Sequence, residues 1–543
     1  DDRAAADAVG LARRRHRRRQ RRAARPLSGA GAADRVVAGL RGPGALRARR
    51  RAGDAAHRKP DPRGLLAAPG VRAAERGPPR RPVSCRDGER RPERAERRDR
   101  RLPDPRRAPR ARAPRGRAMV RTVQTSFTAG ELDPEITARI DVARYYSGVE
   151  EARNVLIRPQ GGAKRRPGWA HVAEMPAGAR PVPFAFNIEQ LYVIVLSAAE
   201  LRVVKDDAVV ATLTGAPWTA AMLSGIQWTQ SADTLILTHH DMPPQRLVRQ
   251  GSHTSWLLEN APLANVPTYD YGAGAEPVIS ASRGWPATPT FYQGRLYLGG
   301  LKSRPATLLG STVGDYFNFD TGTGLDDEAI DATVDANQVN AIRQFATTRG
   351  LHVFTSGAEY LLTGGTEASI TPGNRQFREQ TRRGVLAAVP IAEIAGALYF
   401  CARGGNAVRE HLYDEVQAAF SNTLVSLLAP HLIREPVDLA ARKGNASDDT
   451  DLVLVVMADG GLSVLTVLRS QEVVAWAPWW TDGEVRHVAV LEDGTVYATV
   501  ERAAATRLER LDDALWCDAA VRRTTGLPAT TVDGLDHLEG REV

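Results

Sequence analysis

Two runs in this 543-residue chain contain residue types that bind metal ions. His239, His240 and Asp241 are adjacent, and neighbouring strand residues point to opposite faces, so they cannot easily converge on one ion. We interpret them as a strand end that turns before two prolines. Residues 448–451 could hold calcium, but the EF-hand spacing and its closing glutamate are absent. We therefore predict a solvated loop there and no metal site.

Phosphate-binding and catalytic patterns are equally weak. Residues 271–276 lack the third glycine of a dinucleotide-binding loop, and no helical pattern follows, so we predict a loop. No Gly-x-Ser-x-Gly elbow occurs. Asp326 and Asp327 offer two carboxylates for glycan cleavage, which would have to converge on a sugar. The sequence therefore predicts no catalytic, cofactor-binding or metal-binding residue and no cofactor.

Two further groups could contact a partner. Trp476, Trp479 and Trp480 could stack on sugars or bases, but aromatic residues at strand ends more often fill a core, which we favour. Residues 164–166, Lys-Arg-Arg, lie in a Gly/Pro-rich turn. They are either solvated and salt-bridged or in contact with an acidic neighbouring subunit.

Charge divides the chain into a basic head and an acidic body. Residues 1–118 hold 36 Arg and one Lys against 13 acidic residues, a net charge of +24; the remainder holds 36 basic and 50 acidic residues, a net charge of −14. The head lacks Phe, Trp, Tyr, Ile, Met, Asn and Thr, so it cannot bury enough apolar area to fold. Its dominant residue types are encoded by GC-rich codons. We therefore expect that the head is translated upstream sequence and that Met119 is the true start. The alternative is a disordered arm that binds phosphate.

The composition excludes several classes of protein. Three cysteines, Cys85, Cys401 and Cys517, exclude a disulfide framework and a four-cysteine zinc site. The chain contains no run of 18 apolar residues, so we predict no membrane-spanning helix.

The body begins with a helix signal and continues as strands. Asp133, Pro134 and Glu135 fit a helix start, with Ile136 and Ile140 on one face and an end near residues 146–148; a second short helix is predicted at 150–156. Predicted strands then follow at residues 190–196, 200–205, 233–238, 295–298, 351–355, 360–362, 397–401, 452–457, 462–468, 473–476, 485–491 and 496–500. Asp-Gly pairs at 459–460, 482–483 and 493–494 favour hairpin turns.

Strand centres near Val353, Phe400, Leu454 and Ala489 recur at the interval of a β-propeller blade. We therefore predict a mainly β chain with a β-propeller-like body, although a pair of β-sandwiches would look similar. The predicted divisions are a disordered segment at 1–118, a small mixed α/β module at 119–290 and a propeller-like region at 291–543.

An ordered series of segments resembles tail tubular protein B, the tail nozzle protein of short-tailed bacteriophages and prophages. The series comprises residues 124–134, 139–141, Tyr145, Gly148, Asn154, 159–168, 230–233, His239, 243–244, 295–300, 310–319, 430–432, 469–476, 526–527 and 534–540. Nothing in that family resembles residues 1–118. The family also continues past the last segment with further β structure, so the resemblance implies a propeller lacking its C-terminal part and leaving an open edge strand.

The resemblance implies a non-enzymatic virion component. It would form a homo-oligomeric ring, typically of six copies, between the tail adaptor and the tail-fibre proteins. Genome DNA would pass through the lumen without specific binding, and an acidic body suits such passage because it repels phosphate. Two alternatives stay open: a glycan hydrolase or lyase on a propeller scaffold, and a nucleic-acid binder that uses the Arg-rich head.

Overall fold

The structure, a computed structural model, describes residues 123–336, 338–365, 368–444, 450–503, 505–521 and 535–538. The chain divides into two units, Asp1–Ala113 and Pro114–Val543, and the described residues belong to the second. The predicted head and the boundary at Met119 lie outside the described residues. Across the described ranges, no helix has the length and apolar character needed to cross a bilayer.

Antiparallel β-sheets make up most of the described chain. Five strands precede the first blade: β1 (Gly130–Glu131), β2 (Gly148–Val149), β3 (Val155–Ile157), β4 (Ala163–Arg165) and β5 (Gly168–Met175). Blade 1 contains β6 (Arg180–Asn187), β7 (Gln190–Ser197), β8 (Glu200–Lys205) and β9 (Ala208–Thr214). Blade 2 contains β10 (Gln227–Ser231), β11 (Thr234–His239), β12 (Met242–Arg249) and β13 (Trp256–Asn260).

A small hairpin separates blades 2 and 3. It consists of β14 (Thr268–Asp270) and β15 (Ala275–Pro277). Blade 3 contains β16 (Pro286–Tyr292), β17 (Arg295–Leu301), β18 (Thr307–Gly310) and β19 (Ile330–Thr333). Blade 4 contains β20 (Ile342–Thr347), β21 (Leu351–Thr355), β22 (Glu359–Thr363) and β23 (Gln376–Thr381).

Three further blades complete the series. Blade 5 contains β24 (Ala392–Ile394), β25 (Ala397–Cys401), β26 (Val408–Asp414) and β27 (Ala419–Leu424). Blade 6 contains β28 (Pro436–Arg442), β29 (Asp451–Met457), β30 (Leu462–Leu468) and β31 (Val473–Trp479). Blade 7 contains β32 (Glu484–Val490), β33 (Val496–Arg502) and β34 (Ala505–Asp512), with β5 as its fourth strand. Short 3₁₀ turns lie at Pro134–Ile136, Tyr145–Ser147, Ala220–Gly225, Pro430–Leu432, Arg469–Gln471 and Asp536–Leu538.

Strand β5 closes the ring of blades. It pairs antiparallel with β34, with Trp169 opposite Leu511 and Met175 opposite Thr506. The last blade is thus completed by a strand from before the first blade. The open edge strand expected from missing blades is a wrong prediction, because this edge is paired.

Apolar clusters join neighbouring blades around the ring. Six clusters link blade 1 to 2, 3 to 4, 4 to 5, 5 to 6, 6 to 7 and 7 to 1. Between blades 2 and 3, the Thr238 hydroxyl donates to the Ala287 carbonyl at 2.9 Å. Because each blade is covered on both faces, its middle strands are almost continuously apolar, as in β29, where Leu452–Met457 are all buried. The prediction of a mainly β, propeller-like body is confirmed.

The predicted N-terminal helices are wrong. Asp133 does cap a turn, since its carboxylate accepts the Glu135 N–H at 2.8 Å, but the turn is one 3₁₀ turn that ends at Ile136. Ala138 then takes a left-handed φ of 69° and interrupts the chain direction. Ile140 is 66% exposed, so the expected apolar face is not buried. At the second site the chain forms strand β3 instead of a helix.

The turn predictions are mostly correct. Gly460 and Gly494 have φ of 79° and 83° in the hairpins β29–β30 and β32–β33. Asp482 and Gly483 join blades 6 and 7 rather than forming a hairpin within one blade. The predicted domain division after residue 290 falls inside strand β16.

Candidate functional site

The most distinctive local arrangement is an extension of blade 6 by the segment before β5. Strand β1 runs parallel to β31, with Gly130 opposite Trp476, and β2 pairs with β1. The approach is close: a Cβ at Gly130 would lie 2.4 Å from the Trp476 backbone nitrogen, and Gly130 has a φ of +68°. Glycine is thus required here for both space and conformation.

A histidine fastens this extension to the propeller. His431 Nε2 lies 2.9 Å from Glu131 Oε1, and its Nδ1 lies 3.2 Å from Asp133 Oδ2. The second Glu131 oxygen accepts the Ala152 N–H at 2.7 Å, and the Asp133 N–H donates to the Leu428 carbonyl at 2.8 Å. We call the contacts of Gly130, Glu131 and Asp133 with Trp476 and His431 the outer clasp.

A second anchor follows at the boundary of blades 6 and 7. The Arg166 guanidinium donates to both carboxylate oxygens of Asp518 and, at 2.8 Å, to the Trp480 carbonyl. The Asn154 side-chain oxygen accepts the Trp480 N–H at 2.7 Å and the Arg166 Nε–H at 3.0 Å. Burial opposes ionisation of Asp518, but the hydrogen bonds and charge of Arg166 outweigh it and hold the pKa of that carboxyl below its usual range.

The three residues of the basic run at 164–166 therefore have different environments. Arg166 is buried in the ion pair, whereas Arg165 is exposed and the Lys164 side chain is 39% exposed. Lys164 and Arg165 belong to strand β4 rather than to a turn. The salt-bridge interpretation holds for Arg166 and, through a long 3.9 Å pair with Asp513, for Lys164, and the contact with a neighbouring subunit stays a prediction.

Two of the three tryptophans predicted to fill the core do so, whereas Trp480 is half-buried. Trp476 and Trp479 are 1% and 2% exposed. Their indole N–H groups donate to the carbonyls of Val425 at 2.9 Å and Val155 at 2.8 Å. Each ring therefore packs in the interior while its polar atom is satisfied, and neither face is open to stack on a sugar or base.

The candidate metal run forms the predicted strand end. His239 ends β11, its Nδ1 accepts the Asp241 N–H at 3.2 Å, and Asp241 pairs with Lys302. Burial lowers the pKa of both His239 and His240, and the hydrogen bond from Lys302 lowers the pKa of Asp241. Among the described residues, no cluster of three or more His, Cys, Asp or Glu could hold a metal ion.

Of the other candidate runs, the one at 448–451 lies partly outside the described residues and enters β29 at Asp451. Asp448 and Asp449 lie outside the described residues, while the Asp451 carboxylate accepts the Gly444 N–H at 3.0 Å. Of the loop predicted at 271–276, residues 271–274 form the turn between β14 and β15, and two glycine N–H groups there bind the Asp270 carboxylate. Residues 275 and 276 belong to β15 instead. Asp326 and Asp327 are adjacent and exposed in the loop between β18 and β19.

A small cavity lies among the first strands of blades 1, 2, 5, 6 and 7. Its volume is about 290 Å³, and its lining includes Trp228, Glu393, Asp438, Lys443 and Glu492. Lys443 Nζ lies 3.1 Å from Glu393 Oε2, and Asp438 Oδ2 accepts the Val488 N–H at 3.1 Å. Three of the four charged side chains are acidic, so the lining is negative overall.

Sequence reasoning missed a buried polar chain between blades 4 and 5. His352 Nδ1 lies 3.3 Å from His411 Nε2, and His411 Nδ1 lies 2.7 Å from the Asn422 side-chain oxygen. The Asn422 amide donates to Glu359 at 3.1 Å, and Glu359 accepts the Gly384 N–H at 2.7 Å. Burial lowers the pKa of His352 to about 3 and of His411 to about 4, and burial raises the pKa of Glu359. No spacing pattern links these residues along the sequence.

No protein-family model matches the sequence, and no curated protein matches it significantly. Solved structures resemble it at low identity. The WD40 domain of Neurospora crassa Pan2 is 8% identical, with a TM-score of 0.38, covering 65% of this chain and 98% of that chain. The RRP9 WD40 repeats are 9% identical (TM-score 0.40; 64% and 99% covered), and a streptogramin B lyase is 10% identical (TM-score 0.39; 63% and 96% covered). Scores this low carry no argument about function, and the description of the fold rests on the strand pairing above.

Proposed function

We propose that this protein is a structural component of a short-tailed phage tail and acts without catalysing a reaction. Copies of the chain would form the homo-oligomeric nozzle ring, of six copies by the family resemblance, between the tail adaptor and the tail-fibre proteins. The genome would pass through the lumen of that ring. The site of action would then be the virion tail.

The observation that carries this proposal is the outer clasp. Gly130 and Asp133 come from the first segment of the resemblance, His431 from residues 430–432, and Trp476 from residues 469–476. These segments are about 300 residues apart in the chain, yet they contact one another directly. Residues matched by chance would have no reason to meet at one place, so the contacts support a shared architecture rather than scattered similarity.

The small cavity among the first strands restricts where DNA could pass. Its volume is about 290 Å³, and side chains of those strands line it. A double helix cannot enter such a space. In the proposed ring, the lumen therefore lies between copies of the chain, and the propeller of each copy forms part of its wall.

The test combines the native mass with an activity assay. The full chain should elute, by size-exclusion chromatography with multi-angle light scattering, at a fixed multiple of the 58.9 kDa chain mass. It should also leave host capsular and envelope polysaccharide intact over long incubation. A strictly monomeric protein would count against the nozzle, and release of oligosaccharides would favour the alternative, a glycan hydrolase or lyase.

A further inference from the structure

We propose that copies of this chain join head to tail, with the acidic loop of blade 3 of one copy entering a basic pocket beside β4 of the next. The acidic loop is residues 311–328, between β18 and β19, and the basic pocket is formed by Lys164, Arg165 and Trp516 with their neighbours. This inference rests on the proposed ring, since it names the surfaces that would build it.

The basic pocket is open and carries both charge and apolar surface. It has a volume of about 360 Å³ and is bounded by Lys164, Arg165, Leu515 and Trp516. The Trp516 side chain is 74% exposed, which leaves a large aromatic surface in water. Asp513 is the acidic residue at the pocket, and its carboxylate forms a long ion pair, 3.9 Å, with Lys164 Nζ. Arg165 is exposed beside them, so the pocket keeps a net positive charge.

The acidic loop has the complementary character. It carries Asp315, Asp320, Asp326, Asp327 and Glu328 and contains no Lys or Arg. The four aspartates are exposed, and the loop also exposes two large apolar side chains: Val313, at 51%, and Leu325, at 61%. An apolar residue flanked by carboxylates matches an aromatic pocket flanked by cations.

The loop is held in one shape before any partner binds. The buried Arg295 guanidinium donates to the Asp326 and Glu328 carbonyls, each at 2.6 Å. The Glu328 carboxylate accepts the Leu325 N–H at 2.7 Å. Such contacts fix the position of Leu325, while Asp326 and Asp327 are exposed. A pre-ordered loop loses little conformational entropy on binding.

The two surfaces lie on opposite sides of the ring of blades. The pocket lies where blade 6 meets blade 7, because Arg166 in its wall binds the Trp480 carbonyl after β31 and Asp518 after β34. Blade 3 is three blades away from blade 6 in one direction and from blade 7 in the other. One copy can therefore use both surfaces at once. Contacts of this kind between unlike surfaces produce rings when the rotation between copies closes.

Two full-length double variants test the pairing. K164E/R165E reverses the charge of the pocket, and D326K/D327K reverses that of the loop. R375E/R378E changes exposed residues elsewhere, on and beside β23, by the same amount of charge as K164E/R165E and serves as the control. Each protein is measured by light scattering and by circular dichroism, which checks that the exposed substitutions leave the fold intact.

Each pocket or loop variant alone should lose the multimeric mass and elute as a monomer, while the control keeps the wild-type mass. An equimolar mixture of K164E/R165E and D326K/D327K should regain the multimeric mass as alternating copies, because the intact loop fits the intact pocket and the cationic loop faces the anionic pocket. Variants that keep the wild-type mass, or a mixture that stays monomeric, would overturn the pairing while leaving the ring proposal in place. A monomeric wild type would overturn both.

Discussion

His352 and His411 face each other across the boundary of blades 4 and 5, with His352 Nδ1 3.3 Å from His411 Nε2. Both residues are 0% exposed. His411 Nδ1 faces an Asn422 oxygen and must donate, so its Nε2 accepts from His352 Nδ1–H; His352 Nε2 then accepts from the Thr348 hydroxyl at 2.8 Å. Each ring thus carries one proton. A second proton on either ring would occupy the nitrogen that accepts a hydrogen bond. No other acceptor in this hydrogen-bonded series could replace it.

Acid should therefore destabilise the protein. The folded pKa values of His352 and His411 lie near 3 and 4, below the unfolded value, so the unfolded state binds more protons. Their contribution is fully present above about pH 6.5 and is lost as the pH falls from there towards 4 and 3. Between pH 7 and 5, each histidine should lower the free energy of unfolding by about 2 kcal/mol. Glu359 acts in the opposite direction, because burial raises its pKa and its carboxyl therefore binds a proton more readily in the folded state.

Urea unfolding at pH 7 and pH 5 measures this contribution. His411→Gln should make the loss of stability between the two pH values smaller by about 2 kcal/mol. Thr348→Val removes a hydrogen-bond partner of His352 but no titrating group, so it should keep the wild-type difference. Equal pH dependence in the wild type and the His411→Gln variant would contradict the description of the pair.

Gly130→Ala should detach the outer clasp. The added methyl group would lie 2.4 Å from the Trp476 backbone nitrogen at a φ of +68°, so β1 must move away from β31. We expect a loss of more than about 1 kcal/mol and faster amide hydrogen exchange across residues 123–150. Gly162→Ala is the matched control, since nothing lies within 4 Å of its added Cβ. Unchanged exchange in the Gly130 variant would show that this close approach does not hold the extension.

Arg166→Met should strongly destabilise the fold. It would leave the Asp518 carboxylate, whose side chain is 20% exposed, without its buried cation. Removing one partner of a buried pair costs about 3–5 kcal/mol, and the partial exposure of Asp518 favours the lower value. The exposed pair Arg139–Asp141, with side chains 60% and 63% exposed, provides the control. Arg139→Met should leave the free energy of unfolding nearly unchanged, because exposed ion pairs contribute little. Similar losses in the two variants, measured by urea unfolding, would refute the buried anchor.

His431→Ala should loosen the same extension from its other side. Glu131, whose side chain is 9% exposed, and Asp133 would lose their shared partner. A buried acceptor left unsatisfied costs about 1–3 kcal/mol, so limited proteolysis should cut between residues 134 and 148 sooner than in the wild type. Glu135→Gln alters an exposed carboxylate in the same turn and should leave the cleavage rate unchanged. Cleavage at the wild-type rate in the His431 variant would contradict the clasp.

The strands that the sequence revealed are those whose signal is local. The segments at 452–457 and 462–468 are apolar throughout and joined by Asp459 and Gly460, so composition and turn chemistry agreed. The helix expected after Asp133 shows the opposite case. Its start signal is real, but Gly130 pairs with β31 just before it, and Ala138 takes a left-handed φ of 69° that a helix cannot contain. Tertiary contact here outweighs local preference.

Closure of the ring and most of the site depend on distant residues. Strand β5 pairs with β34, and Arg166 pairs with Asp518, 352 positions away in the chain. The sequence around one member of each pair does not indicate where the other member lies, so no local pattern predicts either pair. Residues 124–134, 430–432 and 469–476 are neighbours in the structure although they are far apart in the chain.

The central claim is that copies of this chain surround an opening through which DNA passes. Electron microscopy of the purified full-length protein tests it most directly, because averaged end views show both the number of copies and the width of the opening. We expect annular particles with a solvent-filled centre wide enough for a double helix and walls made of single propellers. Isolated propellers, or rings with a filled centre, would contradict the claim.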